Sequence, residues 1–403
     1  MSNSALIKSR ILDTELSSPR GLSFRIIDNS EEFESLHTVW NRLVQRSSNR
    51  AITQTWEWLY TWWEIYGDER YLFIILGSEG EEIIGIAPLS IHRENIRYFK
   101  LLPYKTAGFL GSGRTSERNV VSDYLDLIIR EGREKDFIDG LVKCLSGLPA
   151  WDEIILENVS AESPASTLLH EAARKNGLNF QITKRTPSIL IKLPDTWDEY
   201  LQSIQGSLRY KITRGRKEFN KLSGTYHVVQ HEHELSKAFD DLEALHQHRW
   251  QGKGQPGAFF SRKWKAFHKK LIPLAFNNGW LKLCFLHLEN RPVAANYNFA
   301  FDNKIHFFQA GLIPHENTHV RLGLLLHSYC IEEAIHEGYK EYDFLKIGGQ
   351  GAGYKEMWEN YSRDLLEIRI SRRSTQENMY RLLTGCYNLI RRGKHEIESK
   401  IKN

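Results

Sequence analysis

Cysteine is scarce in this chain, with four in 403 residues, at Cys144, Cys284, Cys330 and Cys386. None forms a CxxC pair or takes the His/Cys spacing of a zinc site, which excludes a disulfide framework and structural zinc. The four read as reduced, partly buried thiols of a cytoplasmic protein. Long apolar runs are also missing, and none approaches the roughly 20 residues that a membrane-spanning helix needs. The chain stays polar through Ser23, so no signal peptide is expected. An excess of charge of one sign is also lacking, with 54 Lys and Arg against 50 Asp and Glu. A net +4 and a pI near 8.7 suit an anionic ligand but give no footprint for duplex DNA. A GxSxG elbow, a Walker lysine loop, an HExxH helix and an EF-hand loop are all lacking. Hydrolase, NTPase and metalloenzyme readings therefore have no support, and no metal is expected.

What is present describes a globular protein, 41% hydrophobic with 12% aromatics. At 403 residues it is too long for one ordinary core, so two domains are the expectation. An internal repeat agrees. YLFIILGSEGEEIIGIAPLSIHR in the first half and LKLCFLHLENRPVAANYNFAF in the second share one plan, a strand, a polar turn and a second strand. A third strand near 96–101 would match IHFFQAG of the second copy. The boundaries drawn from this are a flexible leader over 1–21, a first domain over 22–187 and a second over 188–374. A basic amphipathic helix over 375–403 closes the chain and offers peripheral contact with anionic lipid. Monomer and homodimer both remain open. In TWEWLYTWWEIYG, residues Trp56, Leu59, Tyr60, Trp63 and Tyr66 fall on one helical stripe, which reads as core or domain interface.

The second copy carries the chemistry. Along VAANYNFAF, Tyr297 and Phe299 take one face of a strand, and Asn296 and Asn298 take the other. After IHFFQAG comes a junction, Gly311 to Leu324, that joins a strand to a helix N-terminus. Free backbone N–H groups and the helix dipole attract anions there. Arg321 adds a fixed charge, Gly323 permits close backbone approach, and Thr318 is a candidate cap. Within 197–222 the stretch SLRYKITRGRKEFNKL reads as a helix crowded with Arg209, Lys211, Arg214, Arg216, Lys217 and Lys221, either a solvated basic face or a clamp for phosphates. The loop QGKGQPGAFF reads as either a lid or a plain connector.

Three antiparallel strands, a helix with a phosphate-friendly start, and another strand follow the order of the GNAT acyltransferases. On TWEWLYTWWEIYG, the Arg321-Leu-Gly-Leu-Leu helix start and YDFLKIGGQGAGYKEMW, the chain resembles tandem-GNAT acetyltransferases of the cellulose-biosynthesis type, relatives of the Fem aminoacyltransferases. One departure stands in the pyrophosphate loop. The family form Arg/Gln-x-x-Gly-x-Gly/Ala is met here only by Gly323, with Leu325 in the last place. The resemblance implies an α/β (α+β) chain of two tandem GNAT-like domains, each a mixed, mainly antiparallel sheet flanked by helices, with the first copy degenerate. It implies an acetyl or longer acyl group moved from acyl-CoA to an amine-bearing acceptor: a small molecule, a saccharide or a peptide. Donor contacts would come from Leu312, Arg321, Leu322, Gly323 and Leu324. The general acid would be Tyr354, with Tyr342 in reserve.

Asp343, a carboxylate inside the apolar strand YDFL, is either a general base or a partner of Lys355. Asn296, Asn298, Gln309 and His306 would face the acceptor, with Arg249 contributing from a helix end. Two other readings stay open. One is a Fem-like aminoacyl-tRNA-dependent transferase, the only reading with an RNA partner, although no long heptad run for its coiled-coil hairpin is present. The other is a non-catalytic GNAT scaffold serving envelope polysaccharide assembly.

Overall fold

The computed structural model describes residues 21–95, 103–113, 122–347, 353–358 and 360–373. The expected leader, the strand over 96–101, most of the glycine-rich loop at 348–352 and the basic helix over 375–403 lie outside these residues. Cys386 lies outside them too, while the other three cysteines are buried and free.

The first half opens with β1 (Leu22–Ile27), α1 (Ser30–Ser35) and α2 (His37–Gln45). Asn29 caps α1 by accepting from the Glu32 N–H, as its residue type favours. Thr55 likewise caps α3 (Trp56–Tyr66). The hairpin of β2 (Arg70–Glu79) and β3 (Glu82–Asn95) follows, and the strand that pairs with β3 next is β4 (Pro103–Phe109). Then come β5 (Ile128–Ile129), α4 (Glu134–Gly147), β6 (Glu153–Ser160), α5 (Pro164–Lys175) and the long β7 (Asn179–Lys192).

The second half runs α6 (Trp197–Ser203), α7 (Gly206–Lys221), β8 (Thr225–Val228), α8 (Leu235–Gln251) and α9 (Arg262–Asn277). It continues with β9 (Leu281–Leu288), β10 (Arg291–Phe301), β11 (Lys304–Leu312), α10 (Leu322–His336), β12 (Glu341–Lys346), α11 (Gly353–Glu356) and β13 (Tyr361–Ser371).

The strands form one sheet, in the order β1-β2-β3-β4-β6-β13-β7-β12-β11-β10-β9-β8, with β5 paired to β3 off that path. Each half lays down four antiparallel strands and then one parallel partner: β4 beside β6, and β11 beside β12. The repeat read from sequence is therefore a repeat of topology. The two copies are joined by exchange at the centre. β13, the last strand, lies between β6 and β7, while β7 pairs with both β13 and β12.

The helix α3 fixes the halves to each other. Its Trp58 ring packs at 5.4 Å on Phe267, 5.4 Å on Phe299 and 5.7 Å on Phe308, all from the second half. Trp58 and Trp62 are fully buried, whereas Trp56, Tyr60 and Trp63 are half-buried on the other flank, where Trp56 and Tyr60 meet Phe33. The expected single stripe is thus a helix buried on two sides. An amphipathic pattern locates only one of those sides.

On the second half, α8 crosses β11 at Gly311. A Cβ there would stand 2.3 Å from the His246 backbone nitrogen and 2.6 Å from the Leu245 carbonyl carbon. Neither backbone atom can swing aside, so Gly311→Ala should lower stability by about 1–3 kcal/mol, read as a lower urea midpoint at unchanged slope. An unchanged midpoint would contradict this helix–strand contact.

Candidate active site

The strands β11 and β12 pair in parallel over only three steps, Lys304↔Glu341, Ile305↔Tyr342 and His306↔Asp343. Beyond them β11 stays with β10, and β12 stays with β7 through an irregularity between Asp343 and Lys346, where Leu345 takes φ +59°. The two strands therefore part. Where they part lies a pocket of about 220 Å³, walled by Ala310, Gly311 and Leu312 of β11 and by the start of α10. Arg249, Ala294, Asn296, Tyr354, Met357 and Trp358 complete the wall. Seven residues singled out for donor, acid or acceptor roles meet here: Leu312, Arg321, Gly323, Leu324, Tyr354, Asn296 and, from the end of α8, Arg249.

Arg321 is the N-cap residue of α10, and no side chain among the described residues caps this helix. Thr318 does not cap it; its carbonyl accepts from Arg321 Nε at 3.4 Å. The first-turn N–H groups thus have no side-chain acceptor among the described residues, the condition under which a helix start attracts anions. Leu322 turns inward and is 3% exposed, so it belongs to the core. Close behind runs α7: a Cβ on Gly215 would stand 2.8 Å from Leu325 Cδ2 and 2.9 Å from the His319 carbonyl. Part of its basic face is spent internally. Arg216 pairs with Glu332 at 2.6 Å and packs over Trp197 and Tyr329, and Arg214 and Lys221 meet Glu218. Arg209, Lys211 and Lys217 remain exposed.

The residue that sequence reasoning missed is His327. Buried at 3% exposure, its Nδ1 accepts from the Tyr342 hydroxyl at 3.0 Å and from Asn296 Nδ2 at 3.3 Å. Its ring stacks on Tyr354 at 6.2 Å and 29°. Burial pushes its pKa down to about 3, so the ring is neutral at pH 7. With Nδ1 accepting, the hydrogen-bond pattern assigns the proton to Nε2, which makes a donor of a residue lining the pocket. The signal was one imidazole inside the apolar run LGLLLHSYC. Burial lifts Tyr354 to about 12, which keeps its phenol protonated at neutral pH. Tyr342, the reserve acid, is fully buried and already committed to His327.

Other expected site residues are not brought together. Asn298 sits deeper, its Nδ2 3.9 Å from Cys284 Sγ and 3.8 Å from Cys330 Sγ. Gln309 pairs with Tyr297 and His306 with Phe299, so both turn to the sheet face opposite Asn296. Of the two readings of Asp343, a general base or a partner of Lys355, the pairing with Lys355 is not formed. Strand alternation carries Asp343 away from Tyr342, toward the first half. There it accepts from Tyr124 Oη at 2.5 Å, Ser188 Oγ at 3.0 Å and the Leu345 N–H at 2.7 Å. Lys355 donates instead to the carbonyls of Phe344 and Lys346 at the end of β12. In the first half, Ser122 occupies the corresponding strand opening. Its N–H donates to the Gly111 carbonyl, its carbonyl accepts from Asn158 Nδ2, and its Oγ accepts from Trp58 Nε1.

Residues 206–356 match the family described as an acetyltransferase (GNAT) domain. Among solved structures the chain is similar to FemX, with a TM-score of 0.59 and 13% identity over 89% of this chain and 99% of that one. It is also similar to a conserved protein of unknown function from Bacteroides thetaiotaomicron, with a TM-score of 0.53 and 11% identity over 86% and 98% of the two chains. A tandem GNAT protein from the clavulanic acid biosynthesis pathway matches at a TM-score of 0.43 and 10% identity, over 88% and 99%. No curated protein matches the sequence.

The buried histidines predict how stability depends on pH. Burial depresses His246 to about 4 and His306 and His327 to about 3, so the folded state binds fewer protons than the unfolded state from about pH 6.5 downward. Their contribution is lost as pH falls through that window. Asp126 and Asp343, raised to about 6 by burial, act oppositely; their contribution is full below about pH 4 and lost as pH rises through 6. With His268, which burial also holds well below its usual value, four histidines over the wider window outweigh Asp126 and Asp343. The urea midpoint should therefore fall between about pH 7 and 4.5, and less so in His327→Gln. A midpoint that rises on acidification would contradict this balance.

Proposed function

We propose that this chain, which carries a GNAT acetyltransferase domain over residues 206–356 in a fold shared with FemX, is an N-acyltransferase. On this reading it moves an acyl group from acyl-CoA to an amine of a small molecule, saccharide or peptide. The observation that carries the reading is the pocket at the parting of β11 and β12. An uncapped helix N-terminus with Arg321, a protonated phenol at Tyr354 and a neutral imidazole donor at His327 all line one cavity.

Each has a task in acyl transfer. The N-terminus of α10 and Arg321 hold the donor's phosphates, where the helix dipole and a fixed cation act together. Apolar walls from Leu312, Leu324 and Leu326 take the uncharged thioester end. The His327 Nε2–H donates to an oxygen that gains charge as the amine attacks the carbonyl. When the carbon–sulfur bond breaks, the electron pair leaves with sulfur, and Tyr354 gives its proton to the thiolate. No carboxylate lines the pocket among the described residues, and the imidazole has its acceptor nitrogen occupied. The amine's proton therefore goes to solvent.

A second reading has one observation in its favour. Arg209, Lys211 and Lys217 are exposed on α7, beside the same helix start, and none has a carboxylate partner among the described residues. An aminoacyl-tRNA would supply polyanion for that face and an ester for the same pocket. Either donor uses Tyr354 in the same way. Tyr354→Phe should cut turnover by about a hundredfold or more while donor affinity stays, measured by steady-state kinetics beside direct donor titration. Wild-type turnover in that variant would remove the phenol from the mechanism.

A further inference from the structure

We infer that the seam between the two halves holds a second binding site, for a small oxyanion of the carboxylate or phosphate type. On the face of β11 turned away from the pocket at α10 lies a cavity of about 290 Å³, lined by Arg50, Tyr124, Ser160, Lys304, His306 and Arg363 among others. Its centre of interest is His306. The residue is 5% exposed, its Nε2 is buried without a partner, and no hydrogen bond reaches either ring nitrogen among the described residues. A buried imidazole left unsatisfied is costly, and native structures rarely tolerate one without a ligand or water.

Two cations beside it are also incompletely used. Arg50 meets Asp302 through one terminal nitrogen at 2.7 Å and donates to the Gln45 carbonyl through the other at 3.2 Å, while its Nε is buried with no partner among the described residues. Among the described residues Lys304 reaches only Asp302, and at 3.5 Å. Arg363 differs, since Glu162 and Glu341 already satisfy it. The cavity is thus lined by an imidazole, a guanidinium and an ammonium, and in its wall one imidazole nitrogen and one guanidinium Nε–H are buried without partners among the described residues. Its one lining carboxylate, Glu162, is already engaged by Arg363 and Tyr361. A ligand with two or more acceptor oxygens and negative charge answers that surplus. The cavity lies on the opposite sheet face from Asn296 and Tyr354, so the site stands or falls independently of the acyl-transfer reading.

Calorimetric titration of succinate and of inorganic phosphate into the full chain tests it, with the ring signals of ¹⁵N-histidine-labelled protein followed in parallel. Saturable binding of either anion should shift the resonances that His306→Gln removes. Succinate alone would mark the ligand as a carboxylate, phosphate alone as a phosphate, and both as a general oxyanion site. Lys304→Ala, whose side chain has only a weak surface partner to lose, should weaken binding about tenfold and serves even where His306→Gln does not fold. Arg321→Ala should leave it unchanged. Binding of neither anion, or binding that Arg321→Ala abolishes and Lys304→Ala spares, would overturn the proposal.

Discussion

The parting of β11 and β12 after three paired residues is the constraint on which the site depends. Each strand is held firmly on its far side, β11 by β10 and β12 by β7, so neither can follow the other. At the last paired step Asp343 ties β12 to the first half through Tyr124 and Ser188. Burial raises that carboxyl to about 6, and the three donors around it work against the rise. Past this point two strand edges diverge and a helix begins. Diverging edges and an uncapped helix start are both sets of backbone groups without partners, and a polar donor molecule can satisfy them.

One continuous sheet makes that geometry rigid. Two copies of a topology are present, yet neither closes on itself. The C-terminal strand β13 runs beside β6 of the first copy, and β7 reaches across to β12 of the second. Trp58 clamps the arrangement by burying its ring among three phenylalanines of the second half. The same indole donates to Ser122, which sits where the first copy would have its own opening. One tryptophan thus links the joining of the halves to the difference between their two openings.

Much of this was legible in local sequence. Period-two alternation placed Asn296 opposite Tyr297, the leucine spacing placed α10, and Asn29 marked a helix start through a side chain that satisfies a nearby N–H group. The helix-start chemistry around Arg321 was read from adjacent residues, whereas the role expected of the tyrosine after β12 came from the family resemblance. What escaped was non-local. Asp343 and Tyr124 are 219 positions apart, so nothing beside Asp343 announces its partner. Gln309 changes face because the β10–β11 register slips between Tyr297 and Asn298, and a bulge of that kind inverts the alternation beyond it. Trp56 and Trp58 traded burial because α3 is covered on two flanks. His327 was hidden by company, one imidazole among leucines, visible only once Asn296 and Tyr342 arrive from two other strands.

The central claim is that the start of α10 holds an anionic acyl donor. Thermal unfolding of the full chain and of Arg321→Ala, with and without saturating acetyl-CoA, longer acyl-CoAs and free CoA, tests it most directly. A ligand at about a hundred times its dissociation constant adds roughly 2.7 kcal/mol to the folded state. The account predicts a raised midpoint for the natural chain that is largely lost in Arg321→Ala. No shift with any of these ligands, or an equal shift in both proteins, would contradict it.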